Sequence, residues 1–197
     1  MNAARTSEIK RATRETNISC VLNIDGGAQA TVKVATGIGF LDHMLTSLAT
    51  HARWGLVLEC TGDLHIDDHH TAEDCGIVLG QALDAALGDR AGIARFGSAY
   101  APLDEALARS VVDLVTRPSA NVSLGLMREM IGTLACENIK HVLDTLAINA
   151  RITLHVDVIK GDNDHHKAEA AFKSLALALR QAMAREVGGG ASTKGVL

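Results

Sequence analysis

A chain of 197 residues, nearly half of them apolar, can bury a substantial core as one domain or as two small fused halves. Nineteen Lys and Arg against 23 Asp and Glu, with few aromatic residues, provide neither a basic run nor a stacking surface, which excludes nucleic acid as an expected partner. Residues 1–17 lack an apolar signal region and no segment has the length of a membrane span, so a cytoplasmic chain without a membrane partner is expected.

In chain order, partial period-2 alternation predicts strands at "ISCVLNI" and "AQATVKV", joined by a hairpin turn at "NIDGGAQ". Leu41, Met44, Leu45 and Leu48 in "FLDHMLTSLATH" then form one apolar stripe of a helix. Strands at "LVLEC" and "LHI" lead to a second helix after "DDHHTAED", with Cys75, Val78, Leu79, Ala82, Leu83 and Ala86 on one face and Gly88 as its stop. Residues 91–108 read as a connector. "SVVDLV", "NVSLGL" (with "TRPSAN" as the turn between them) and "RITLHVDVI" predict further strands, and "ENIKHVLDTLAI" a helix. A last helix follows "NDHHKAEA" and ends near residues 188–190. The four cysteines are scattered without a C-x-x-C pair and read as buried free thiols.

The chain is written twice. Ile139, Val142, Leu143 and Leu146 repeat the first helix's stripe 98 residues on, and His141 repeats His43. The His-His-x-x-Glu groups at 69–73 and 165–169 are offset by 96. The expected fold is therefore α+β with internally duplicated β-β-α-β-α halves, each a small mixed sheet carrying two helices on one face, the helix layers packed together. Half-repeats are placed at 1–92 and 93–190, with a tail at 191–197.

Adjacent residues on a helix point about 100° apart, so His69 and His70 cannot readily chelate one ion, whereas Glu73 lies one turn on and can serve either. The same holds for His165, His166 and Glu169. With His43 and His141 there are six imidazoles and two carboxylates, which divide into two sites of three His and one Glu. Such donors suit manganese, iron, cobalt or zinc, and an octahedral ion keeps two positions open. A single His-His-x-x-Glu on an exposed helix is more often a solvated polar face; two matched copies argue for ligation. Asp67, Asp68, Asp162 and Asp164 read as helix caps and first-turn dipole partners. His51, His65 and His155 taken alone read as structural, although His51 lies two turns beyond His43 on nearly the same face.

The chain resembles the imidazoleglycerol-phosphate dehydratase family of histidine biosynthesis through "RETNI" (14–18), "GFLDHML" (39–45), "GDLHIDDHHTAED" (62–74), "RFGSAYAPLDEAL" (95–107), "DNDHHKAEAAFKSLALALRQA" (162–182) and "STKGVL" (192–197). The resemblance covers essentially the whole chain. It departs in a hairpin tip about two residues longer than usual, and no phosphatase domain precedes it, which implies a monofunctional chain. It implies two Mn2+ per active site, held by His43, His69, His70, Glu73, His141, His165, His166 and Glu169, in a homo-oligomer of 24 subunits with metal sites at subunit contacts. It also implies substrate contacts at Glu15, His51, Arg95, Arg117, Lys173, Ser192, Thr193 and Lys194, the cations on a phosphate monoester, and catalytic roles for Glu15, Glu73 and Glu169.

The chemistry expected is conversion of imidazole glycerol phosphate to imidazole acetol phosphate and water. The hydrogen removed is not beside a carbonyl. A metal-bound imidazolate would expel the neighbouring hydroxyl, leaving a diazafulvene-like intermediate whose C–H is acidic enough for a carboxylate. Glu15 is the expected mobile acid/base; its other reading is an ion pair with Arg14 or Arg11. A metal-dependent hydrolase and a metal-scaffolded shell protein are the rival readings of the same donors.

Overall fold

The computed structural model describes residues 4–186. Each half contributes a four-stranded mixed sheet and two helices. In the first, β1 (Thr6–Ala12), β2 (Thr16–Asn23), β3 (Val32–Ala35), α1 (Gly39–Ala52), β4 (Gly55–Gly62) and α2 (His69–Leu87) build a sheet of order β1-β2-β4-β3. In the second, β5 (Phe96–Leu103), β6 (Ala106–Asp113), β7 (Ser119–Ser123), α3 (Cys136–Asn149), β10 (Thr153–Lys160) and α4 (Asp164–Ala182) give β5-β6-β10-β7, with the two-residue strands β8 (Met130–Ile131) and β9 (Leu134–Ala135) forming a small ribbon ahead of α3. The expected α+β duplication is the observed fold, with one strand more in each half's main sheet.

The extra strands are β1 and β5. β1 alternates between exposed and half-buried residues and has only Ile9 as a bulky apolar side chain, so the periodic signal is faint. β5 occupies the stretch expected to be a connector, and it pairs with β6 across a tight turn at Asp104 and Glu105. Its small residues are dictated by α4: a Cβ on Gly97 would lie 2.0 Å from the Ala178 carbonyl oxygen. At the matching place in the first half, the Ser7 hydroxyl donates to the Ala82 carbonyl at 2.7 Å.

The hairpins differ from those expected. "NIDGGAQ" and "TRPSAN" do not close hairpins, because β3 runs parallel to β4 and β7 parallel to β10, and the helix between each pair makes the crossover. The true hairpins are β1–β2 and β5–β6. "LHI" is a turn rather than a strand, closed by Ile66 N–H donating to the Asp63 carbonyl. α4 stops at Ala182, before the glycines at 188–190, which lie outside the described residues.

Both helix layers lie between the two sheets, and they pair across the halves, α1 with α4 and α2 with α3. The pairings are not equally tight. A Cβ on Gly80 of α2 would lie 2.7 Å from the Leu146 carbonyl oxygen of α3, whereas the corresponding positions of α4 are Phe172 and Ala176 where α2 has Gly76 and Gly80. The core is aliphatic and continuous across both halves, as the shortage of aromatics required. Arg90, almost wholly buried, ties the halves by donating to the carbonyls of Leu114, Ala150 and Arg151 and to Asp84. All four cysteines are free; Cys60 is half-buried and the rest are buried, with burial pushing the Cys20 thiol up to about 12.

Candidate metal centre

Because the helices pair across the halves, His43 of α1 and His141 of α3 each face a His-x-x-x-Glu pair belonging to the other repeat. His43 joins His165 and Glu169; His141 joins His69 and Glu73. In each trio the donor atoms all lie within 4.8 Å of one another. His43 Nε2 is 3.0 Å and His165 Nε2 3.3 Å from Glu169 Oε2. His141 Nε2 is 3.1 Å from Glu73 Oε1, and His69 Nε2 is 4.0 Å from Glu73 Oε2. Bonds of roughly 2.1 Å put neighbouring ligands of one cation about 3 Å apart, so both trios fit a divalent ion with minor adjustment. The donors are imidazole and carboxylate, without thiolate.

Local capping presents these side chains. Asp67 Oδ1 accepts from the His69 N–H, and Asn163 Oδ1 from the His165 N–H, both at 2.9 Å. Asp164 lies in the first turn of α4 as expected, but neither its side chain nor that of Asp68 caps its own helix: Asp68 accepts from Ala135 N–H at 2.7 Å, and Asp164 from Met127 and Arg128 N–H at 2.8 and 2.7 Å. Buried Lys167 completes the second contact, 2.9 Å from Asp164 and 3.0 Å from the Gly125 carbonyl. The segment 124–135 is thus fastened to the first turns of both ligand-bearing helices.

His70 and His166 belong to neither trio. His70 Nδ1 meets Asp63 at 3.0 Å and its Nε2 lies 3.8 Å from Glu15. His166 Nδ1 meets Glu105 at 2.7 Å and its Nε2 lies 3.8 Å from Asp104. The hydrogen bonds to Asp63 and to Glu105 raise the pKa of each imidazole above its usual value. Glu105 itself sits at about 2, held down first by the Asn163 backbone N–H and then by His166.

Glu15 is half-exposed at the β1–β2 turn and pairs with neither expected arginine; Arg11 is committed to Asp74. Lys173 lies 2.6 Å from Glu169. Burial would raise the Glu169 carboxyl, but Lys173 and His43 outweigh it and bring it down to about 2. His51 is half-buried, its pKa lowered by burial, by Lys173 and by Arg180 against the pull of Glu169. Arg95 binds Asp113 at 2.8 Å and stacks on Phe96, while Arg117 is exposed in the turn before β7. Arg95 N–H donates to the Ala182 carbonyl at the far end of α4, about 25 Å along the helix from His165. His65 and His155 are exposed and outside both trios. Ser192, Thr193 and Lys194 lie outside the described residues.

The sequence offered no signal for Asp63, Glu105 and Asn138, which accept from imidazoles; each is a common polar residue whose partner is set by the fold. Asn138 Oδ1 lies 3.0 Å from His69 Nδ1.

A duplicated α+β chain with two cross-repeat trios of two His and one Glu defines a candidate two-metal enzyme. The family model for imidazoleglycerol-phosphate dehydratase matches residues 36–179. The chain is 56% identical over 190 residues to the imidazoleglycerol-phosphate dehydratase of Candida glabrata, covering 88% of this chain and 90% of that protein. It is 52% identical over 212 residues to that of Saccharomyces cerevisiae, covering 96% of each. The crystal structure of the Staphylococcus aureus dehydratase superposes with a TM-score of 0.80 at 38% identity, covering 91% of this chain and 99% of that one. That of Pyrococcus furiosus, in complex with (S)-C348, gives 0.81 at 36%, covering 96% and 100%. The chain belongs to the imidazoleglycerol-phosphate dehydratase family, whose activity is the dehydration step of histidine biosynthesis. No described helix is long and apolar enough to cross a membrane.

Proposed function

We propose that each trio holds one divalent cation, manganese in the working enzyme, and that the chain uses the pair to dehydrate imidazole glycerol phosphate to imidazole acetol phosphate. The observation that carries this is the convergence of His43, His165 and Glu169, and of His69, His141 and Glu73, each from two helices of opposite repeats. His43, His165 and Glu169, and His69, His141 and Glu73, would hold divalent cations, which would supply Lewis-acid chemistry that replaces the ring proton and favours departure of the neighbouring hydroxyl.

The chain's own residues do the rest. Glu15 is free of arginine and placed near His70, close enough for a bridging water. It gives its proton to the departing hydroxyl, which leaves as water, then as a carboxylate takes the proton from the neighbouring carbon, and the resulting enol tautomerises to the ketone. Glu73 and Glu169 act as ligands that set the position of the ring. Lys173 holds the phosphate beside the Glu169 trio, with His51 along the same seam.

The active form is a homo-oligomer, with 24 subunits as the family resemblance implies. Two observations support sharing between chains: His70 and His166 stand outside both trios with their Nε2 atoms turned elsewhere, and Arg95 is a helix length from the trio on its own α4. His70 and His166 thus complete trios of neighbouring chains, and Arg95, Arg117, Ser192, Thr193 and Lys194 reach a neighbour's phosphate. Residues 1–92 and 93–190 are the two half-repeats, a division supported by Ile93 bridging to Arg185 beyond α4.

A dehydratase assay on metal-stripped protein, restored with each divalent ion in turn, tests the reading. Manganese should restore turnover with two ions per chain; activity that survives complete stripping would refute it. Glu15→Gln should retain both ions and lose about a hundredfold in kcat.

A further inference from the structure

Metal-binding imidazoles ligate through one nitrogen, and the partner of the other nitrogen decides which. On the first turns of α2 and α4 three of the four histidines have that partner. Asn138 serves His69, Asp63 serves His70, and Glu105 serves His166, all through Nδ1. His165 is the exception. Among the described residues no hydrogen bond engages its Nδ1, and its ring instead meets Phe40 edge-on, with centroids 5.0 Å apart at 64°.

Phe40 and Asn138 are the same position of the two repeats, 98 residues apart and one turn before His43 and His141. Both are buried, Asn138 being 3% exposed. One repeat therefore places an amide oxygen against a ligand ring where the other places a phenyl edge. The amide itself is buried and fixed in place, so it offers the half-exposed His69 ring one defined acceptor at 3.0 Å in place of mobile solvent. A neutral His69 donating from Nδ1 to Asn138 has its Nε2 lone pair bare and facing Glu73 and His141, and the ring cannot turn over without losing that bond. His165 distributes its proton and its orientation more freely, and cation binding must select one arrangement from that set.

We propose that Asn138 is a positioning residue that preorganises the His69–Glu73–His141 site, and that the two cation sites of this chain are consequently unequal, this one filling first. The inference rests on the two-metal reading above. A second difference acts in the same direction: Lys173 occupies Glu169 at 2.6 Å, while the matching position on α2 is Ile77, which places no cation beside Glu73.

The test is a titration of the metal-stripped protein with Mn(II) at fixed pH, following free Mn(II) by electron paramagnetic resonance. Wild type should show two classes of site separated by about tenfold or more in Kd. Asn138→Ala should weaken the tighter class about tenfold and leave the other unchanged; Asn138→Asp, which keeps the acceptor, should preserve it. Should the alanine variant fail to fold, the wild-type isotherm and Asn138→Asp still decide, since loss of the tight class in the aspartate variant would overturn the proposal. Two indistinguishable wild-type sites, or an alanine variant with the wild-type isotherm, would overturn it while leaving the two-metal reading intact. Failure of wild type to bind Mn(II) at all would refute both.

Discussion

The two trios are copies of one ancestral arrangement, yet only their ligands match. Around His69, Glu73 and His141 stand Asn138 and Ile77; around His43, His165 and Glu169 stand Phe40 and Lys173. The helices beneath them differ too, with Gly76 and Gly80 letting α3 close on α2 where the corresponding positions of α4 are Phe172 and Ala176. Duplication thus keeps the His and Glu donors of the two candidate sites and leaves their supports free to diverge. Two sites can present the same donors and differ in affinity, charge and rigidity.

The largest break in that comparison comes from removing one carboxylate at a time. Glu73→Gln and Glu169→Gln should each lose one ion per chain, a different one in each case, and each should cut turnover by at least about a hundredfold; metal analysis beside steady-state rates checks both. Next comes helix packing. Gly80→Ala would force a methyl group against the Leu146 carbonyl and move α3, with His141, away from Glu73. A loss of about 2 kcal/mol in denaturant unfolding is expected, with weaker binding confined to the His141 site. The corresponding position in the other pair, Ala176, already carries that methyl group, so the same change has no counterpart there.

Lys173→Met should raise KM about tenfold by removing a charge-assisted contact to phosphate, while the Glu169 site, relieved of its ammonium competitor, should bind Mn(II) more tightly. The smallest effect is on acid stability of the metal-free protein. Glu169 has a folded-state pKa of about 2 against 4.5 when unperturbed. Its contribution is therefore present above about pH 4.5 and fades as pH falls toward 2. Lys173→Met should remove most of this dependence, a difference of about 1 kcal/mol or less, read from denaturation midpoints between pH 5 and 2.

Much of this was legible before any tertiary structure. Helices α1 to α3 follow their apolar stripes closely, and α2 stops at Gly88 as expected. The faint strands were those whose pattern answers to a neighbour: β1, polar along an exposed edge, and β5, whose Gly97 admits the backbone of α4. At β3 and β7 the sequence suggests hairpins, because a Gly-rich or Pro-containing turn lies between two strands, while the direction of each strand is settled by the helix that follows it.

By itself the sequence determined the ligand inventory, since a His-His-x-x-Glu written twice at matching offsets, each with a histidine upstream, is a statement about covalent order. Only the tertiary structure decided how those ligands divide. Helices pair where their buried faces fit, and here that fit joins α1 to α4 and α2 to α3, so that each trio is built from both repeats and one histidine of every adjacent pair is left outside its trio. Periodicity records which face a side chain occupies. What that face meets depends on packing among segments distant in the chain.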